Sequence, residues 1–198
     1  MSHASSIPGH AHITPIWQGI PTPKFAVWLF LASEIMFFTG LIVAYISLRY
    51  SLPDWPVAAE LLSVPLVAFN TFILICSSVT MVLAYDSAER GDLRRSSYLL
   101  LATAILGAIF LSIQAIEWAD LMGEGVRAAS SMFGGTFYTL TGFHGTHVAI
   151  GVIWVMVVAL KAFRGGYDEN HLGIELAGLY WHFVDVVLII LFTIIYLI

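Results

Sequence analysis

The chain has 198 residues, of which 59% are hydrophobic and 11% charged, and its mean hydropathy is +0.88. A water-soluble domain carries about 25% charged residues, so this chain lacks the polar surface to coat a soluble globule and reads as an integral membrane protein. The formal charge of −5 comes with no basic patch for nucleic acid, and the single cysteine, Cys76, excludes an internal disulfide and a thiolate metal cluster.

The chain opens on a polar, proline-broken tail, residues 1–24, which holds His3, His10 and His12. A His-x-His pair with no carboxylate or thiolate nearby makes a weak metal site, so the tail reads as an arm. No secretory leader is expected, because the first apolar run begins near Phe25, after this tail, and is too long for a leader's core.

Five apolar runs follow, near residues 25–48, 64–85, 97–119, 136–162 and 174–198. Each is long enough to cross a bilayer, which takes about 20 residues. The fold class expected is therefore all-α: a polytopic bundle of five transmembrane helices in one membrane domain, 25–198. The connections RYSLPDWPVAAE, DSAERGDLRRS, DLMGEGVRAASS and FRGGYDENHLG carry the proline and glycine of chain turns.

The basic residues orient it. Lys24, Arg90, Arg94, Arg95, Lys161 and Arg164 fall on one side of such a bundle, and only Arg49 and Arg127 on the other. The positive-inside rule then places the N-terminus inside and the C-terminus outside. Trp17, Trp28, Tyr50, Trp55 and Tyr167 lie near span ends, as interfacial aromatic residues do. Small residues favour close helix approach: Gly40, Ala44 and Ser47 stripe the first span, and Gly142, Gly145, Ala149 and Gly151 the fourth.

The candidate site residues are the polar ones within the spans: Glu34, Asn70, Gln114, Glu117, His144, His147, His182 and Asp185. Such groups are costly in hydrocarbon and find a partner or a wet cavity. A rise of about 1.5 Å per residue sorts them by depth. Glu34, His147, His182 and Asp185 fall near mid-membrane; Asn70, Gln114, Glu117 and His144 fall nearer the outer face. Each tier mixes acids with imidazoles or amides, as mutual hydrogen bonding requires. Asp185 follows His182 by three residues and is expected to accept that imidazole's N–H.

Other chemistries fit less well. A haem wants axial ligands from facing helices, and only His144 or His147 with His182 could supply them. A carboxylate-bridged metal pair wants repeated Glu-x-x-His motifs, which do not occur. A transmembrane proton wire or a proton-coupled transporter using Glu34 and Asp185 wants titratable groups in the inner half of spans two to four, or an inverted repeat and broken helices. The reading favoured is interhelical glue at about 0.6–2 kcal/mol per bond.

Five segments, WLFLASEIMFFTG (28–40), NTFILICSSVT (70–80), IQAIEW (113–118), GFHGTHVAIG (142–151) and YWHFVDVVLIILF (180–192), resemble subunit III of the haem–copper terminal oxidases, in that family's order and across all five spans. The resemblance implies a subunit with no catalytic, cofactor or metal residue of its own, packed on a catalytic subunit I beside subunit II, with room for a small subunit or other chains, and with haem and copper held by those partners. It implies bound phospholipid, a bacterial plasma membrane, and a complex that passes electrons from cytochrome c to oxygen while pumping protons. A quinol oxidase or a nitric-oxide reductase accessory subunit is the alternative within the family. The family's buried glutamate matches Glu34, its paired histidines His144 and His147, and its His-Phe-x-Asp His182 and Asp185. Many members have seven spans, two of them preceding the segment like WLFLASE. Here a short tail stands in their place, so the lipid cleft those helices form is expected to be completed by another subunit, another span or lipid.

Overall fold

The computed structural model of the chain describes residues 20–53, 55–56, 63–167 and 171–197. The tail with His3, His10 and His12 lies outside the described residues. Among the described residues, five helices occur in order: α1 (Thr22–Ser51), α2 (Val64–Glu89), α3 (Leu93–Gly123), α4 (Met132–Phe163) and α5 (Leu172–Phe192), the last continued by a wider π turn, Thr193–Leu197. Each is long and apolar enough to cross a membrane. All exceed the expected spans by a few residues at one end or both, because the backbone hydrogen-bond ladder runs on from the apolar stretch into the polar residues flanking it.

Local chemistry sets the ends. Pro23 and Pro65 stand in the first turns of α1 and α2, where no amide hydrogen is needed. Asp92 and Ser131 cap α3 and α4 by accepting from the backbone N–H groups of Arg95 and Gly134, each at 3.0 Å. Gly91 closes α2 at φ +81°, a conformation that costs glycine little, and lets the Asp92 amide donate back to the Ser87 carbonyl.

Helices α2 to α5 form the main body, packed around Leu74, Met81, Leu100, Val148, Ile174 and Trp181. Helix α1 leans on α4 and α5 through a second core with Phe38, Tyr45, Phe137, Leu140 and Leu191. Its inward residues run Lys24, Val27, Leu31, Glu34, Phe38, Leu41, Tyr45, Leu48, alternating spacings of three and four as in a coiled-coil seam. The remainder of α1 is bare: only 6% of its most apolar stretch is buried, against 50% for α5. Helix α5 is thus the central post.

The two small-residue stripes behave differently. On α4, ideal Cβ positions at Gly142, Gly145 and Gly151 would lie 3.3 Å from Trp118, 3.2 Å from Gln114 and 3.0 Å from Trp181. On α1, Gly40 meets nothing within 4 Å, and Ala44 and Ser47 are exposed beside it. That stripe seats no helix of this chain, because α1 turns its heavier Phe38–Tyr45 face to the bundle. A close approach between helices that the stripes do not include is at Gly107 of α3, where a Cβ would fall 2.5 Å from the Trp181 ring.

Candidate functional site

The eight polar residues occupy two levels of the bundle. At the middle level, Glu34 of α1 meets His147 of α4, with Oε2 and Nε2 3.0 Å apart and both side chains largely buried. His147 Nδ1 lies 2.7 Å from the Phe143 carbonyl of the preceding turn. A carbonyl only accepts, so Nδ1 carries a hydrogen. The contact with Glu34 then needs one further proton, from either the carboxyl or the imidazole, and the pair is neutral overall in both forms. Tyr180 of α5 adds its hydroxyl, donating to the His147 backbone carbonyl at 3.0 Å.

Also at this level, His182 Nδ1 of α5 lies 2.6 Å from the Ser78 hydroxyl of α2. The Trp181 indole N–H donates to Ser77 Oγ at 2.9 Å. This corrects the expected His182–Asp185 pair. A helix places residues three apart on neighbouring faces, but His182 turns toward α2 and finds Ser78 first. Asp185 is buried, 5% exposed, and neither carboxyl oxygen has a hydrogen-bond partner among the described residues, although the Ser78 side chain lies close by.

The second level, the one expected nearer the outer face, is a sequence of links from each helix to the next. Asn70 of α2 donates its amide N–H to the Phe110 carbonyl of α3 at 3.2 Å, and Gln114 of α3 to the Thr141 carbonyl of α4 at 3.0 Å. His144 Nε2 of α4 donates to the Val184 carbonyl of α5 at 3.2 Å. Tyr196, in the terminal π turn, donates to Glu117 of α3 at 3.4 Å, which returns the series to α3. All four expected residues of this tier line one small chamber, together with Thr141 and Tyr196.

At the bundle end where α1 and α5 begin, Lys24 pairs with Glu175. Just past α4, the Lys161 ammonium sits 4.3 Å from the centre of the Tyr167 ring. Burial of that ring pushes the Tyr167 hydroxyl above the usual tyrosine range.

Sequence reasoning missed Ser78, Tyr180, Trp181 and Tyr196. The Ser77–Ser78 pair inside an apolar run was a usable signal, and so was the placement of Lys24 and Glu175 at the same membrane side. Nothing in the spacing marked Tyr196, whose position depends on the final turn widening. Among the described residues, no group of three or more His, Cys, Asp or Glu side chains could hold a metal ion.

A family model described as cytochrome c oxidase subunit III matches residues 1–198. Cytochrome c oxidase subunit 3 of Bacillus sp. (strain PS3) is 36% identical over 171 residues, covering 86% of this chain and 83% of the relative. The Thermostichus vulcanus protein of the same name is 36% identical over 190 residues, 95% of this chain and 90% of the relative. Quinol oxidase subunit 3 of Bacillus subtilis (strain 168) is 36% identical over 172 residues, 86% of this chain and 84% of the relative. The chain belongs to the cytochrome c oxidase subunit III family, in its five-helix form, and is a multi-pass membrane subunit of a haem–copper oxidase that works beside other subunits.

Proposed function

We propose that this chain is the non-catalytic subunit III of a cytochrome c oxidase in a bacterial plasma membrane, lying N-terminus inside and C-terminus outside. It seats against the catalytic subunit I, near subunit II, and leaves haem and copper to those partners. The observation that carries this reading is the use made of the buried polar side chains. Glu34, His147, Asn70, Gln114, His144 and Glu117 each hold a hydrogen bond from one helix to another. A bundle tied at two levels is a stiff support, and the broad apolar face of α1 suits a neighbouring subunit or bound phospholipid. The orientation rests on six basic residues at one end against two at the other.

A second reading, a quinol oxidase subunit, has support of equal weight in identity: the Bacillus subtilis quinol oxidase and cytochrome c oxidase subunits are each 36% identical to this chain. Purification in mild detergent through a tag on this chain tests both. The expected result is co-purified haem and copper subunits whose oxygen uptake is driven by reduced cytochrome c. Uptake driven by quinol alone transfers the chain to the second reading. Isolation of this chain without an oxidase core refutes both.

A further inference from the structure

The chamber of the second level has a composition that its interhelical links leave unexplained. Asn70 is 4% exposed and its Oδ1 has no partner; the buried Oε1 of Gln114 has none either. Neither amide can be turned over to relieve this, because each already gives an N–H to a backbone carbonyl, Phe110 or Thr141. Turning it would set oxygen against oxygen. The neighbouring hydrogens are engaged elsewhere: Thr141 donates to the Phe137 carbonyl at 2.7 Å, His144 to Val184, and Tyr196 to Glu117. Asn70 Oδ1 therefore stands at the chamber without a donor among the described residues, and a buried acceptor left unpaired costs about 1–3 kcal/mol.

The chamber offers about 30 Å³ of room. A water needs roughly 10–15 Å³ of such space and two to four polar partners. Both conditions are met, and water can donate to Asn70 Oδ1 while accepting from the second hydrogen of that amide. We propose that this chamber is a resident water site, holding one or two waters that donate to Asn70 Oδ1 and hydrate Glu117. The water supplies Asn70 Oδ1 with a donor beside the direct Asn70–Phe110 link of α2 to α3. It also gives the Glu117 carboxyl a polar contact on the side away from Tyr196. The inference stands on the fold alone and does not depend on the electron donor.

X-ray footprinting of the intact oxidase complex tests it, because radicals formed from bound water label the side chains beside it. Phe110 lines the chamber and is 3% exposed; Phe137, fully buried in the core beside α1, is the dry reference. Rapid labelling of Phe110 with Phe137 unlabelled is the expected result. In Asn70→Leu, which replaces the acceptor with apolar bulk, Phe110 labelling is lost. In Asn70→Asp, which keeps an acceptor, it persists. Phe110 labelling no faster than that of Phe137 in the wild-type complex overturns the proposal, whatever the variants do; so does labelling that survives Asn70→Leu unchanged.

Discussion

The Glu34–His147 contact offers the sharpest test of the tie reading. In lipid, hydrocarbon tails solvate an apolar helix about as well as protein does, so helix α1 gains little hydrophobic drive toward the bundle. Its attachments are the Phe38–Tyr45 seam, the half-exposed Lys24–Glu175 pair and the clasp at His147. An exposed ion pair contributes about 0–1 kcal/mol. The clasp, with side chains only 14% and 18% exposed, belongs to the buried class of polar links, at about 0.6–2 kcal/mol. Because 1.4 kcal/mol is a factor of ten, its loss should shift the docking equilibrium of α1 by roughly 3- to 30-fold. The measurement is a double-mutant cycle in the purified complex: Glu34→Leu, His147→Leu and both together, read as retention of this chain during thermal or detergent challenge. Each single substitution should weaken retention, and the double should cost less than their sum. Glu34→Gln should behave almost as wild type. The Phe143 carbonyl holds the His147 hydrogen on Nδ1, which leaves Nε2 free to accept from the amide. Strictly additive single effects, or a Gln variant as weak as the Leu variant, would refute the argument.

Three further outcomes follow from the same geometry. Gly107→Ala places a methyl 2.5 Å from Trp181 and 2.7 Å from Val152, so it should lower the thermal midpoint by an overpacking cost of about 1–3 kcal/mol, while Gly40→Ala, which meets nothing, should not; equal effects would contradict the packing at α3. Ser78→Ala should loosen α2 from α5 by about 1 kcal/mol, whereas Asp185→Asn should hold stability, since neither Asp185 oxygen has a partner to lose; the reverse ranking in a detergent-stability assay would restore the His182–Asp185 pair. Burial raises the Tyr167 hydroxyl above its unfolded value near 10, so the stability it contributes is full below that pH and fades as pH climbs through the higher folded value. Ultraviolet titration, wild type minus Tyr167→Phe, should show this tyrosine ionising above the ordinary tyrosine value near 10, and ionisation at that ordinary value would rule the shift out.

The number and type of helices were legible because each run of hydrocarbon-compatible residues ends in proline, glycine or charge, and in lipid a backbone has few other ways to satisfy itself. The two levels of polar residues were legible for a related reason: helical rise converts residue number into depth, and depth is the one coordinate a membrane imposes on a sequence. Azimuth is not imposed. Which way His182 points depends on how α5 is rotated against α2, and that rotation is set by Trp181 filling the gap opposite Gly107 and Gly151. So the assumption of a local partner gave His182 the wrong neighbour in place of Ser78, while Glu34 and His147, 113 positions apart, meet. The same limit explains the α1 stripe. Glycine and alanine mark where a helix could be approached, and only packing decides whether this chain or a neighbour makes the approach; here α4 uses its stripe internally and α1 turns its own outward. The first helix is nearly bare and the central post well buried, so the seam that makes Glu34 measurable carries most of what holds α1 to this bundle.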